Sequence, residues 1–297
     1  MQKLPVLKPG DSVEIIAPAS RCSDKHLMDL KKLLTSWGLN CLVDAAIFGQ
    51  DLLCANNDEM RFFFLKRALE NTETKAVICA RGGYGSMRLI PSLSQMAKPV
   101  VPKVFVGMSD ITALQLYFQR QWQWPSIHGA LAVDKFSPES IAALKALLFG
   151  ETHSLEFRGT ALNSHAEKTT SFKSIITGGN LTLVQASIGT SWQIDGHDKI
   201  IFLEEIGERG YRVDRMLMHL LQASVFKEAK AIVLGDFLGG AEPNGISLIQ
   251  PVLERFAQSC EIPVIQIEGI GHGYTNFPLP LGVEMLLNLG NDILLNI

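Results

Sequence analysis

Short apolar runs and amphipathic helical segments take turns through the first half of this 297-residue chain. Val13-Glu-Ile-Ile-Ala-Pro-Ala-Ser20 reads as a buried strand, and Asp24 to Trp37 places Leu27, Leu30, Leu33 and Leu34 on one helical face before Gly38 stops the helix. The beat continues with a strand over Asn40 to Val43, a helix from Asn57 through Leu69, a strand at Ala76 to Ala80 and a helical stretch from Ser86. A strand at Lys103 to Val106 and a helix from Ile111 to Arg120 follow. Such alternation buries its apolar faces as a parallel sheet covered by helices, with ligands gathering beyond the carboxyl ends of the strands. The expectation is an α/β protein whose N-terminal part is a doubly wound, mainly parallel sheet.

After a helix at about Pro138 to Leu148, the stretch from Gly150 to Ser174 is polar and shows no periodic segment, which marks a domain boundary. Two domains are therefore expected: an N-terminal α/β domain over 1–160 and a second, smaller mixed α/β domain over 161–297. The latter reads as Ile175-Ile-Thr-Gly-Gly-Asn180, a helix from Leu181 to Ile188, a strand at Lys199 to Leu203 and a helix from Val213 to Ala223. A strand at Ala231 to Leu234, a helix near Ile246 to Gln258 and strands around Val264 and over Val283 to Leu289 complete it.

Composition narrows the function. Hydrophobic residues make up 47% and charged residues 19%, as in a well-packed globule, and a net charge of -3 with no basic tract gives no reason to expect a nucleic acid or an anionic membrane as partner. The first residues lack the apolar core of a signal peptide, and no run approaches the roughly 18 apolar residues of a membrane span, so the expected location is the cytoplasm. The five cysteines, Cys22, Cys41, Cys54, Cys79 and Cys260, are scattered and odd in number, and are read as reduced thiols. No H-E-x-x-H, Asp-rich loop or Cys/His cluster is present, so neither a metal nor another cofactor is expected.

Lys103-Val-Phe-Val-Gly-Met-Ser109-Asp110 reads as a strand that breaks at Gly107 and restarts as a helix, pushing a serine hydroxyl out at a sharp turn. The same residues suit an ordinary turn with an Asp-assisted helix start, and Ile111 stands where a G-x-S-x-G elbow has its second glycine. A serine nucleophile needs a base and oxyanion donors. His26, His153, His165 and His197 lie in polar or helix-edge contexts and His219 within a helix, whereas His128 and His272 fall in loops after apolar stretches. His272, between Gly271 and Gly273, is the better base. Its orienting carboxylate is sought in Ile201-Phe-Leu-Glu204-Glu205-Ile-Gly-Glu208, where Glu204, Glu205 and Glu208 stand on equal terms. Arg81-Gly-Gly-Tyr-Gly85 lacks P-loop and dinucleotide spacing, leaving a tight turn or an oxyanion-binding nest. Together these point to an acyl-transfer hydrolase.

Several further segments bring the chain close to a known family. Lys8-Pro-Gly-Asp11, Ala80-Arg-Gly-Gly-Tyr-Gly85, Val106-Gly-Met-Ser-Asp110, Gly178-Gly-Asn180, Phe202-Leu-Glu-Glu205, Tyr211-Arg-Val-Asp-Arg215 and Gly271-His272 with Leu279-Pro-Leu-Gly282, in that order, resemble the LD-carboxypeptidases, a group that also contains microcin C immunity proteins. The resemblance implies a Ser-Glu-His triad, Ser109, Glu204 and His272. Because these residues come from both halves of the chain, the site is expected in a groove between the two domains, and the mechanism that follows from the roles uses the backbone N–H groups of Asp110 and the Gly82-Gly83 turn for the oxyanion. The resemblance also implies a metal-independent cytoplasmic homodimer that removes the terminal D-alanine of recycled murein tetrapeptide by cutting an L,D bond. Met108 and Ala130 depart from the family's usual tyrosine and proline without touching a triad position. Arg81 or Arg212 is a candidate for receiving the substrate carboxylate. The alternatives are an immunity-type peptidase opening an aminoacyl-nucleotide amide, and a non-catalytic peptide-binding protein of the same fold.

Overall fold

The computed structural model describes residues 4–129, 132, 134–151 and 155–296; Ala130 and His153 lie outside them. The chain divides into two compact units, one of residues 1–152 with 277–280 and one of 153–276 with 281–297. The architecture is mixed α/β with two sheets, of which the first is parallel across its main strands.

In the first unit, β1 (Ser12–Ile16), β2 (Asn40–Val43), β3 (Thr74–Cys79), β4 (Val104–Gly107) and β5 (Ser126–His128) lie in the order β2-β1-β3-β4-β5, and a short strand returning from Leu279–Leu281 edges β5. Helices α1 (Asp24–Ser36), α2 (Asp58–Glu70), α3 (Ile90–Leu93) and α4 (Thr112–Tyr117) connect them, and α5 (Pro138–Phe149) follows β5. On one face Val13 and Ile15 of β1 pack with Leu30 and Leu34 of α1 and Leu144 and Leu148 of α5, each such side chain contributing about 1.5–3 kcal/mol when fully buried. On the other face Glu14 is buried, which is tolerable because Arg67 of α2 donates to its Oε1 from both Nε and Nη2, at 3.0 and 2.9 Å. Ser23, Asn57 and Ser137 cap α1, α2 and α5 by accepting the N–H groups of His26, Met60 and Ser140. The helix expected over Ile111 to Arg120 is shorter. It opens on a 3₁₀ turn and passes after α4 into a π-helical turn, Phe118–Trp122, in which Trp122 stacks on Phe118 with centroids 4.9 Å apart.

Because β2 and β3 flank β1 on opposite sides, the strand order reverses at β1, the place where a parallel α/β sheet opens a crevice at its carboxyl edge. The segments leaving β1 and β3 meet there: Ser20 N–H donates to the Gly82 carbonyl at 3.2 Å.

The second unit is built on a closed barrel. Its strands are β6 (Glu156–Ala161), β7 (Thr170–Asn180), β8 (Lys199–Ile206), β9 (Ala231–Leu238) and β10 (Val264–Ile267), then, beyond β11 (Leu279–Leu281), β12 (Glu284–Leu289) and β13 (Ile293–Asn296). The order is β10-β6-β13-β12-β7-β8-β9, with β7 to β10 mutually parallel and the remaining pairs antiparallel. Helices α6 (Leu181–Ala186), α7 (Gly210–Gln222) and α8 (Ile249–Gln258) link the parallel strands. The polar stretch that shows no periodicity in the sequence carries β6 and the start of β7. In β6 Phe157 alone is fully buried, so the alternation that marks a strand is almost missing. Among the described residues, no helix is long and apolar enough to cross a membrane.

Candidate active site

In the first unit, β4 is buried along its whole length and ends at Gly107. Met108 is extended, and Ser109 then takes φ 62, the left-handed region, at the head of the 3₁₀ turn. A non-glycine residue there costs about 1–2 kcal/mol, so the surroundings must impose it. Asp110 is the fastener: its buried carboxylate accepts the N–H groups of Gly85 and Ser86 at 3.2 and 2.7 Å, and Ser86 Oγ donates to the Asp110 carbonyl at 2.6 Å. The serine turn and the Arg81–Gly85 loop are thereby held as one piece. Gly82 approaches so closely that a Cβ would stand 2.8 Å from Ser109 Cβ and 2.9 Å from the Met108 carbonyl oxygen. Gly83 lies beside Ser20, whose hydroxyl accepts Tyr84 N–H at 3.0 Å.

Beneath this assembly Arg61 of α2 is buried and donates to the carbonyls of Asn56, Pro18 and Gly85 and to Asp58. The sequence gives no hint of this role, because an arginine beside Phe63 and Phe64 in an amphipathic helix reads as a solvated residue. Cys79, at the end of β3, is fully buried, and burial, with Asp110 close by, pushes its thiol well above the usual range. A thiol in that state is a packing residue rather than a nucleophile.

In the second unit the three candidate acids separate cleanly. Glu204 is completely buried, and its Oε2 lies 2.7 Å from Nδ1 of His272. Its Oε1 is buried without a hydrogen-bond partner among the described residues, so the charge is answered chiefly by the imidazole. Glu205, next along the strand, accepts from Asn180 Nδ2, Thr182 N–H, Thr182 Oγ1 and Ile206 N–H at 2.7–3.1 Å. Burial raises its carboxyl pKa while those donors pull the other way. Glu208 pairs with Arg212 at 3.2 Å on the surface.

The Gly178-Gly179-Asn180 element serves the same architecture: a Cβ on Gly178 would lie 1.9 Å from the Phe202 carbonyl oxygen, so only glycine lets β7 and β8 pair there, while Asn180 caps α6 and holds Glu205. His128, expected in a loop, is instead the buried last residue of β5. His219 sits on α7, its Nδ1 2.7 Å from Gln185 Nε2. Arg81 is exposed and donates to the Arg21 carbonyl; Arg212 is exposed and bonds Tyr211 and Glu208. Asp236 of β9, absent from the sequence reading, accepts Gly269 N–H at 3.0 Å at the start of the segment that carries His272.

Chemically, the first unit holds a hydroxyl at a strained strand-to-helix turn, with the Gly82 backbone packed against it. The second holds an imidazole steered by a buried carboxylate, as a general base requires.

Comparison with known proteins finds one family over both units. Residues 13–129 match the model of the LD-carboxypeptidase N-terminal domain, and residues 173–287 match that of the LD-carboxypeptidase C-terminal domain. A putative carboxypeptidase of Rickettsia conorii is 39% identical over 275 residues, covering 90% of this chain and 85% of the relative. A probable murein peptide carboxypeptidase of Bacillus subtilis is 32% identical over 292 residues, covering 95% and 90%. The crystal structure of muramoyltetrapeptide carboxypeptidase from Oxalobacter formigenes superposes with a TM-score of 0.81 at 27% identity, over 96% of this chain and 98% of that one.

Proposed function

This chain belongs to the LD-carboxypeptidase family, and from that membership we propose that it is a serine-type carboxypeptidase cutting the L,D amide bond that releases terminal D-alanine from murein tetrapeptide. The observation that supports this most is the hydrogen bond between Glu204 Oε2 and His272 Nδ1 at 2.7 Å. With Nδ1 committed to the carboxylate, Nε2 is the nitrogen left to take a proton. A buried carboxylate with one chief partner gains most when that partner becomes cationic, which is what the imidazole does in the transition state.

In the proposed reaction His272 removes the Ser109 proton and the hydroxyl oxygen attacks the carbonyl joining the diamino acid to D-alanine. The N–H groups of Asp110, Gly82 and Gly83 receive the oxyanion, and His272 returns the proton to the leaving amine. Water, deprotonated by the same imidazole, then releases the acyl group from Ser109. Side chains and backbone suffice for every step. The reading carries with it a cytoplasmic homodimer working in cell-wall recycling; the names of the Bacillus and Oxalobacter proteins support the murein-peptide substrate alone.

The test is incubation with purified murein tetrapeptide, with the same peptide ending in L-alanine, and with an aminoacyl sulfamoyl adenylate. Loss of one alanine from the D-form alone is the expected outcome. Turnover of the adenylate alone would transfer the chain to the immunity-type activity, and turnover of none would favour a binding protein.

A further inference from the structure

The pairing of β8 with β9 breaks where it passes the carboxylate that steers His272. Leu203 is opposite Leu234 and Glu205 is opposite Phe237, so two residues of β9, Gly235 and Asp236, face the single residue Glu204. This is a β-bulge, a device that re-aims a side chain beside a site. Glycine is required at its first position, where a Cβ would fall 2.5 Å from the Ile270 carbonyl oxygen and 2.8 Å from the Phe202 ring. The second position is an aspartate bonded to the segment leading to the imidazole. Asp236 N–H donates to the Ile270 carbonyl at 2.8 Å, and Asp236 Oδ1 accepts Gly269 N–H at 3.0 Å. Packing is equally close, since a Cβ on Gly271 would meet Asp236 Cβ at 2.9 Å and one on Gly273 would meet Asp236 Oδ2 at 3.4 Å.

We propose that Asp236 is a positioning residue for His272: the bulge at Gly235–Asp236 clamps the 269–273 segment against Glu204, and the Asp236 carboxylate supplies a second negative charge that strengthens the imidazole as a base. The proposal rests on the reading of His272 as the general base. Among the described residues of this unit, Glu204 on β8 is bonded to that imidazole, and Asp236 on β9 interacts electrostatically with it, with Glu204 and with Glu268. Burial raises the Asp236 carboxyl pKa, with Glu204 and Glu268 adding to the rise, while Gly269 N–H and His272 oppose it.

Two variants separate the clamp from the charge. Asp236→Asn keeps an oxygen for Gly269 N–H and removes the charge; Asp236→Ala removes both. Removing a negative neighbour disfavours the imidazolium, so in Asp236→Asn the acidic limb of the kcat/KM profile and the titration of the His272 ring, followed by NMR with His272→Gln for assignment, both move to lower pH by roughly half a unit to one unit. Asp236→Ala loses about 10–100-fold in kcat with KM little changed, the size found for removing the outer partner of a metal-bound imidazole. A purely structural role would leave the titration of Asp236→Asn superimposed on that of the wild type, and that result overturns the proposal. A limb that moves while the ring does not would also overturn it. If the ring titration moves but the wild type hydrolyses no peptide, the proposed function falls and the Asp236–His272 coupling stands.

Discussion

Gly82→Ala puts one methyl group into the close approach of its loop to Ser109, the proposed nucleophile. The added carbon would sit 2.8 Å from Ser109 Cβ and 2.9 Å from the Met108 carbonyl oxygen. Carbon pairs prefer about 3.5 Å or more, so roughly 0.7 Å must be absorbed, the difference between 3.5 and 2.8. The loop cannot simply withdraw, because Asp110 holds the Gly85 and Ser86 N–H groups and Ser20 N–H holds the Gly82 carbonyl. Overpacking of this kind costs about 1–3 kcal/mol, which for domains of this size lowers Tm by about 2–4 °C per kcal/mol. The displaced partner is the serine turn itself, and a shift approaching 1 Å at a reacting atom costs about 100-fold. Gly82→Ala should therefore melt a few degrees lower and lose on the order of 100-fold in kcat/KM for D-alanine release, far more than its stability loss implies. A variant that melts lower yet keeps kcat/KM within about threefold of the wild type would refute the argument that this glycine exists to admit the serine.

Ser109→Gly should abolish turnover while raising stability by about 0.5–1 kcal/mol, because glycine occupies φ 62 without the strain serine bears; a drop in the urea midpoint would contradict that strain. Glu205→Gln turns an acceptor of four hydrogen bonds into a group whose NH₂ opposes other donors, and about 2–3 kcal/mol of stability should go, readable in denaturant melts. The carboxyl groups of Asp236 and Glu205 are both raised in the folded protein, so their stabilising contribution is full below the unfolded pKa, near 4, and is lost as pH rises through the folded value. Asp236→Asn should accordingly melt higher than the wild type near pH 8, with the advantage shrinking toward about pH 4. An advantage constant with pH would break that linkage.

Much of the parallel sheet is legible in the sequence because its strands are buried on both faces and read as continuous apolar runs, as Val104-Phe-Val-Gly107 does. The barrel strand β6 escapes for the opposite reason, since one side chain, Phe157, carries nearly all its burial. At the site, Ser109 stands out at the break after Gly107 and His272 between two glycines, whereas the choice among Glu204, Glu205 and Glu208 depends on a contact across 68 residues. Along β8 successive side chains point to opposite faces, which sends Glu204 to the imidazole and Glu205 to the cap of α6. Asp236 is invisible for a related reason: in the apolar run Ala231-Ile-Val-Leu-Gly-Asp236 nothing marks the extra residue, because a bulge is defined by its partner strand.

The account turns on a hydroxyl made reactive by one imidazole, and intact-protein mass spectrometry after fluorophosphonate treatment reads this directly. A single covalent adduct is expected, mapped by peptide sequencing to Ser109 and formed on the order of 100-fold more slowly or not at all in His272→Ala and Glu204→Ala. An adduct on another residue, or one on Ser109 whose rate ignores His272, would contradict the proposed triad.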